Sequence, residues 1–247
     1  MTGLGMDALS KNASIPLYLQ VKNTLEAEIR DGKYGVDERL PSERELCETF
    51  GISRMTARQA LKELERDGLV FSRVGKGTFV SEPKIDQQLS NLTGFSQDIS
   101  NRGARPSSIV LSAQVVPANA HLASILKLLQ GAEVVELSRL RLSNELPLCI
   151  EVAHIPHYLC PNILNNDFSR ESLYRVFTRD YGHRLARAEQ TMEAGLADAR
   201  ELELLRMTAP ASVLRIERLT YNQNDTLLEY VVSAYRGDRY KFHLTLQ

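Results

Sequence analysis

The stretch FGISRMTARQAL, residues 50–61, combines two signals that decide the fold. Ala57, Ala60, Leu61 and Leu64 fall on one stripe at helical spacing, with Ser53 in front as an N-cap and Gly68 behind as a stop. The first turn, however, carries Arg54, Thr56 and Arg58 rather than an ordinary solvating mixture of Glu and Lys. Side chains of a first turn lean back toward the helix N-terminus. That end therefore presents free N–H groups, the positive end of the dipole and two arginines, a combination suited to phosphates and base edges in a major groove.

Working outward, LPSERELCETFG places Ser42 and Glu45 three residues apart as a capping box, then Leu46 and Phe50 for the core and Gly51 as terminator. Only Ile52 separates that short helix from the next, and a tight glycine turn between two helices is the helix-turn-helix signature. Upstream, Leu17, Val21, Leu25 and Ile29 recur every four residues and end at Gly32, which predicts a first helix. Downstream, LVFSRVGKGTFV sets β-branched and aromatic residues on both sides of Gly75, Lys76 and Gly77, a two-stranded hairpin. Three helices and a hairpin make a winged helix over residues 15–81.

The net charge is -1, so nothing global marks a nucleic-acid binder and the signal has to be local. Between Ser53 and Lys76, Arg54, Arg58, Lys62, Arg66, Arg73 and Lys76 stand against Glu63, Glu65 and Asp67. Lys76 at the wing tip and Arg44 at the start of the second helix extend the candidate surface, and Met55 and Gln59 point outward from the third helix. An exposed helix with ordinary solvated charges is the competing reading of that helix alone. Cap, turn and wing together disfavour it.

With 43% hydrophobic and 25% charged residues in 247, the chain is ordinary for one small and one larger globular domain. Cys47, Cys149 and Cys160 form no CxxC pair, and no apolar run reaches the roughly 18 residues of a membrane span. A cytoplasmic protein without membrane contact is expected, with residues 1–14 a disordered extension and polar residues 82–91, including Pro83, a linker.

Residues 92–247 have a different character. Strand-like runs recur at 107–116, 133–143, 147–155, 184–193, 212–221, 226–236 and 239–246, and helical patterns at about 118–129, 171–181 and 197–205. Short connections such as SNEL and NQND predict hairpins and a largely antiparallel sheet with helices against it, an α+β domain. Arg139 and Arg141, two apart in EVVELSRLRLS, share a strand face at roughly 7 Å and suit a phosphate or carboxylate. A cross-strand salt bridge to local glutamates explains the same spacing equally well. Phe95 and Ser96 open a short helix. Glu151, and then Glu229, Ser233 and Tyr235, fall on strand faces by period two and are hydroxyl-binding types. His154, His157 and Cys160 raise a metal reading that Pro156 and the lack of a fourth ligand oppose. No catalytic constellation is recognisable, so neither an enzyme nor a cofactor is expected.

PLYLQVKNTLEAEIRDG, the LPSERELCETFGISRMTARQALKELERDGLV run and GKGTFV resemble the winged-helix domain of GntR family bacterial transcription regulators. The resemblance implies DNA contacts by Arg44, Ser53, Arg54, Thr56, Arg58 and the Gly75–Lys76–Gly77 wing, with Gln59 at a position that tunes operator choice. LTGFSQDISNRG, SRLRLSNELPLCIEVAHIP and LEYVVSAYRGDRYKF are similar to the non-catalytic, chorismate-lyase-like effector-binding (UTRA-type) domain of the HutC subfamily. Within it, the paired arginines and SAYRGDRYKF resemble regulators of N-acetylglucosamine use. This implies a phosphate held by Phe95, Ser96, Arg139 and Arg141 and a sugar held by Glu151, Glu229 and Tyr235. Related regulators on the same scaffold recognise histidine-pathway acids or other sugars. The expected whole is a homodimeric repressor of double-stranded operator DNA, released by a small anion such as glucosamine 6-phosphate or N-acetylglucosamine 6-phosphate. A lyase-like enzyme acting on a small anion is the distant alternative.

Overall fold

In the computed structural model the described residues are 15–73, 75–81, 84–88 and 92–245. The expectation for residues 1–14 lies outside them. The chain forms two compact units that divide between Lys84 and Ile85.

In the first unit, helix α1 spans Leu17–Arg30, α2 Glu43–Phe50 and α3 Arg54–Arg66, followed by strands β1, Val70–Arg73, and β2, Gly77–Val80. Both caps form where the sequence places them. Ser42 Oγ accepts from the Glu45 N–H while the Glu45 carboxylate accepts from the Ser42 N–H at 2.7 Å, and Ser53 Oγ accepts from the Thr56 N–H at 3.2 Å. Gly51 closes α2 at φ 64, a left-handed turn that glycine adopts without steric cost, and lets α3 start three residues later, at Arg54. Val21 and Leu25 of α1 meet Ala57, Ala60 and Leu64 of α3, all at most 1% exposed, with Leu46, Val70 and Val80 closing the core. Ala57 and Ala60 keep that stripe of α3 flat, so its opposite face stays in solvent.

β1 and β2 pair antiparallel, and residues 38–40 run beside β2, with Arg39 bridging Phe79. There the Leu40 N–H donates to Thr78 O at 2.8 Å and the Val80 N–H to Glu38 O at 2.9 Å. The wing is thus braced on its inner edge.

The second unit continues with β3, Ile85–Gln88, and α4, Phe95–Asn101. There follow β4, Pro106–Pro117, α5, Ala120–Leu126, β5, Glu133–Ser143, and β6, Leu146–Pro156. After two short 3-10 turns come α6, Leu173–Tyr181, β7, Leu185–Leu196, and α7, Ala199–Leu204. The chain closes through β8, Ser212–Asn222, β9, Leu227–Arg236, and β10, Tyr240–His243. The order β4-β5-β6-β9-β8-β7 makes a six-stranded sheet, antiparallel throughout. One face carries Val135, Leu137, Ala153, Ile155 and Val231 against Val176 and Phe177 of α6. The other packs Val134, Tyr221 and Tyr230 under α5.

Two expectations need correction. The stretch read as a linker holds β3, and the last strand does not join the main sheet: β3 and β10 pair with each other in parallel, Tyr240 opposite Ile85 and His243 opposite Gln88. The reason is hydrophobic. Ile85, Tyr240 and Phe242 pack into the cluster of Phe95, Ile99, Leu148, Cys149 and Tyr235. Single apolar residues in a polar stretch do not show this, because the partner strand lies at the far end of the chain.

Candidate functional site

Every residue assigned to DNA contact lies at an exposed or half-buried position of the first unit. Arg44 opens α2, Ser53, Arg54, Thr56 and Arg58 occupy the start of α3, and Lys76 tips the wing, its N–H donating to Arg73 O at 2.9 Å. Two assignments change in detail. Arg58 is forked onto Glu43 of α2, Nε to Oε1 at 2.7 Å and Nη2 to Oε2 at 3.0 Å, and that hydrogen-bonded pairing holds the Glu43 carboxyl below the usual range. Gln59 donates to Glu63 Oε1 at 2.8 Å. Both are therefore engaged within the unit, whereas Arg54 has no hydrogen-bond or ion-pair partner among the described residues. The sequence lacks a visible cue to the Arg58 fork because Glu43 sits on a different helix.

In the second unit, Phe95, Ser96, Arg139, Arg141, Glu151, Glu229 and Tyr235 all line one pocket, whose open space including its mouth is about 550 Å³. Ser233 lines it too. Strand register explains the convergence: Arg139 faces Glu151 across β5 and β6, Glu151 faces Ser233 across β6 and β9, and Cys149 faces Tyr235.

Both readings of the paired arginines apply together. Arg139, 2% exposed, donates from Nη2 to Glu151 Oε1, and Arg141 Nη1 donates to the same oxygen at 3.2 Å. Arg141 Nη2 also donates to Ser96 Oγ at 2.9 Å, and its guanidinium lies 4.6 Å from the Phe95 ring centroid. Yet Arg139 Nε and Nη1 and Arg141 Nε have no hydrogen-bond partner. Burial alone raises the Glu151 carboxyl, but the adjacent Arg139 and Arg141 overcome this and hold it below the carboxylate range.

Glu229 behaves in the opposite way. Its Oε1 accepts from Tyr174 at 2.7 Å and Thr220 at 2.9 Å, its Oε2 has no partner, and burial drives its carboxyl upward. Two carboxyls in one pocket are thus pushed apart by their surroundings.

Several further residues line the pocket without a signal in the sequence. Arg218 of β8 donates from Nε to Gln190 Oε1 at 2.7 Å, and Ser172 and Tyr174 enter from the start of α6. Arg218 alternates with Ile216 and Thr220 and so faces the pocket, but that needs the β8–β9 register, which the sequence does not display. Gln87 enters from β3, donating to Asp98 Oδ2 at 2.6 Å; Thr93 donates to Oδ1.

The metal reading finds no geometry. His154 turns to Glu136 at 3.5 Å, His157 to Glu133 at 2.9 Å, and Cys160 is buried in the apolar core. Among the described residues no group of three or more His, Cys, Asp or Glu is placed to hold an ion, and no helix is long and apolar enough to cross a membrane.

Comparison with known proteins fits both halves. Residues 17–80 match the bacterial regulatory proteins of the gntR family, and residues 101–241 match the UTRA domain. The chain belongs to the GntR family. A repressor of Bacillus subtilis (strain 168), HTH-type transcriptional repressor NagR, is 41% identical over 234 residues, covering 95% of this chain and 96% of its own. The histidine utilization repressor of Pseudomonas aeruginosa is 33% identical, covering 84% and 82%. The crystal structure of PhnF from Mycobacterium smegmatis superposes with a TM-score of 0.68 at 31% identity, over 92% of this chain and 99% of that one. This GntR protein is a DNA-binding transcription regulator of the HutC type and not an enzyme.

Proposed function

We propose that this GntR regulator is a homodimeric repressor whose winged helices occupy half-sites of a palindromic operator, and that a phosphorylated amino sugar releases it. Glucosamine 6-phosphate and N-acetylglucosamine 6-phosphate are the favoured effectors. Two-fold symmetry in protein and DNA then correspond. The DNA contacts are Arg44, Ser53, Arg54 and Thr56 with the Gly75–Gly77 wing, and Arg58 joins them once a phosphate competes with Glu43.

The observation that carries the effector reading is the set of buried guanidinium N–H groups of Arg139 and Arg141 left without acceptors at the pocket. Leaving such donors unpaired costs about 1–3 kcal/mol each, which an anion with several acceptor oxygens recovers. With Arg139, Arg141 and Arg218 facing Glu151 and a Glu229 that burial drives toward neutrality, the pocket is net positive. That balance favours a phosphate dianion over a monocarboxylate. Glu151, Ser233, Glu229 and Tyr235 supply hydroxyl partners for a sugar. The similarity to the repressor NagR agrees with this choice.

Titration calorimetry tests it with both sugar phosphates, unphosphorylated glucosamine and a histidine-pathway acid. Binding of a sugar phosphate, abolished by Arg139→Ala while DNA binding persists, is the expected result. Binding of the acid alone moves the effector to the class named by the histidine utilization repressors. To release DNA, the ligand must bind the two states unequally, with a coupling of about 1–3 kcal/mol.

A further inference from the structure

Arg39 is absent from every contact assigned above, yet its place in the first unit is tightly defined. Its backbone bridges Phe79 of β2, and the flanking Glu38 and Leu40 exchange hydrogen bonds with Val80 and Thr78. The side chain runs across the wing: a Cβ built on Gly77 meets Arg39 Nε at 2.9 Å, and Cδ and Cζ at 3.6 Å. Gly77 is thus bare for two reasons, its φ of 112 and the guanidinium stem lying over it. On the other side Arg39 contributes, with Arg44, to the field that lowers the Glu45 carboxyl, after the larger effect of that group's hydrogen bonds to Ser42. Arg39 therefore stands between the wing glycine and the N-terminal turn of α2.

The other arginines of the unit, Arg54 apart, face acids. Arg30 pairs with Glu26, Arg44 approaches Glu48 at 3.9 Å, Arg58 is forked on Glu43, and Arg66 meets Glu63. Arg73 lies 4.9 Å from the centroids of Phe71 and Phe79 and 3.5 Å from Asp37. The side chains of Arg39 and Arg54 make no hydrogen bond or ion pair among the described residues. One is at the recognition-helix tip and the other on the wing.

We propose that Arg39 is a backbone-phosphate contact: its side chain lies across Gly77, and its guanidinium grips the strand that passes between the wing and the start of α2. The guanidinium fork suits phosphate oxygens, and a position fixed by backbone pairing rather than by base-facing helix geometry suits a sequence-independent grip. Lys76 at the wing tip extends the same strip of charge.

The test measures the salt dependence of DNA affinity for the full-length protein, without any small molecule, so its outcome is separate from that of the effector reading. Two duplexes serve as probes, the promoter fragment beside the protein's own gene and a short duplex of arbitrary sequence. Arg39→Gln removes the charge, Arg39→Met removes it while keeping the stem packed across Gly77, and Arg39→Lys keeps it. The slope of log affinity against log salt falls by about 1 per protomer in the Gln and Met variants, equally on both duplexes, and stays near the parent value in the Lys variant. An unchanged slope in the Met variant overturns the proposal. So does a loss confined to the promoter fragment, which makes Arg39 a reader of base edges instead.

Discussion

Arg139 and Arg141 converge on one carboxylate oxygen: both donate to Glu151 Oε1, from Nη2 and from Nη1 at 3.2 Å, on a face where Arg139 is 2% exposed. A single acid thus holds two buried cations side by side, and the pocket is built around that imbalance.

Removing the acid exposes it. Glu151→Gln leaves two neighbouring buried guanidiniums without a counter-charge and costs about 3–5 kcal/mol of stability in the second unit, the range for breaking a buried pair on one side. Added sulfate or phosphate restores a larger share of the melting temperature in the variant than in the parent. A variant that melts like the parent refutes the pairing.

Glu229 sets a pH dependence of opposite sign from an ordinary surface acid. Its folded carboxyl is raised by burial, so the protonated form suits the native state. The stability associated with that proton is complete below the unfolded value of about 4.3 and is lost as pH rises through the raised folded value. Glu229→Gln keeps an acceptor for Tyr174 and Thr220 but cannot ionise. The melting temperature of the variant minus that of the parent therefore grows as pH increases from about 4. A difference that stays flat with pH is incompatible with a raised group.

At the recognition helix the free and the engaged arginine behave differently. Arg54→Ala weakens operator binding by about 1–3 kcal/mol with no change in melting, as expected of a contact that carries no internal load. Glu43→Gln releases Arg58 and removes a negative charge from the same surface. Affinity for arbitrary duplex therefore rises at low salt, while the folding penalty, for an exposed pair, is small. Filter binding of both variants checks this. Weaker binding by Glu43→Gln means that the fork itself presents the helix to DNA.

Gln87 joins the strand that follows the DNA-binding unit to the pocket. Gln87→Leu deprives the buried Asp98 of a donor and costs about 1–3 kcal/mol by thermal melting. Burial already raises the Asp98 carboxyl, so the penalty is larger above its raised value than below it. A neutral outcome at all pH values removes Gln87 from the structural role given to it.

How much of this was legible in the chain follows from the range of the interactions. Ser42, Glu45, Ser53 and Gly51 act within three or four residues of themselves, and their caps and turn are readable directly. Arg139, Arg141, Glu151, Glu229 and Tyr235 sit on strand faces by period two, so alternation gave each a face, and the resemblance to the HutC subfamily gave their convergence. Gln87 was not legible, because β3 exists only by pairing with β10 at the other end of the chain. Arg218 depends on the β8–β9 register, and the Arg58–Glu43 fork on how α2 sits against α3. Long-range pairing left no local periodic mark in any of the three.

Control of DNA binding at the winged helix by a phosphate-bearing ligand in the arginine pocket is the relationship on which the proposed function stands. A mobility-shift titration on the protein's own promoter fragment addresses it directly, with glucosamine 6-phosphate, N-acetylglucosamine 6-phosphate and unphosphorylated glucosamine run against the parent and Arg139→Ala. Release of the parent by a phosphorylated sugar but not by glucosamine, with the variant remaining bound throughout, is the predicted result. Retention of the parent on DNA at every concentration of both sugar phosphates, or equal release of parent and variant, contradicts it.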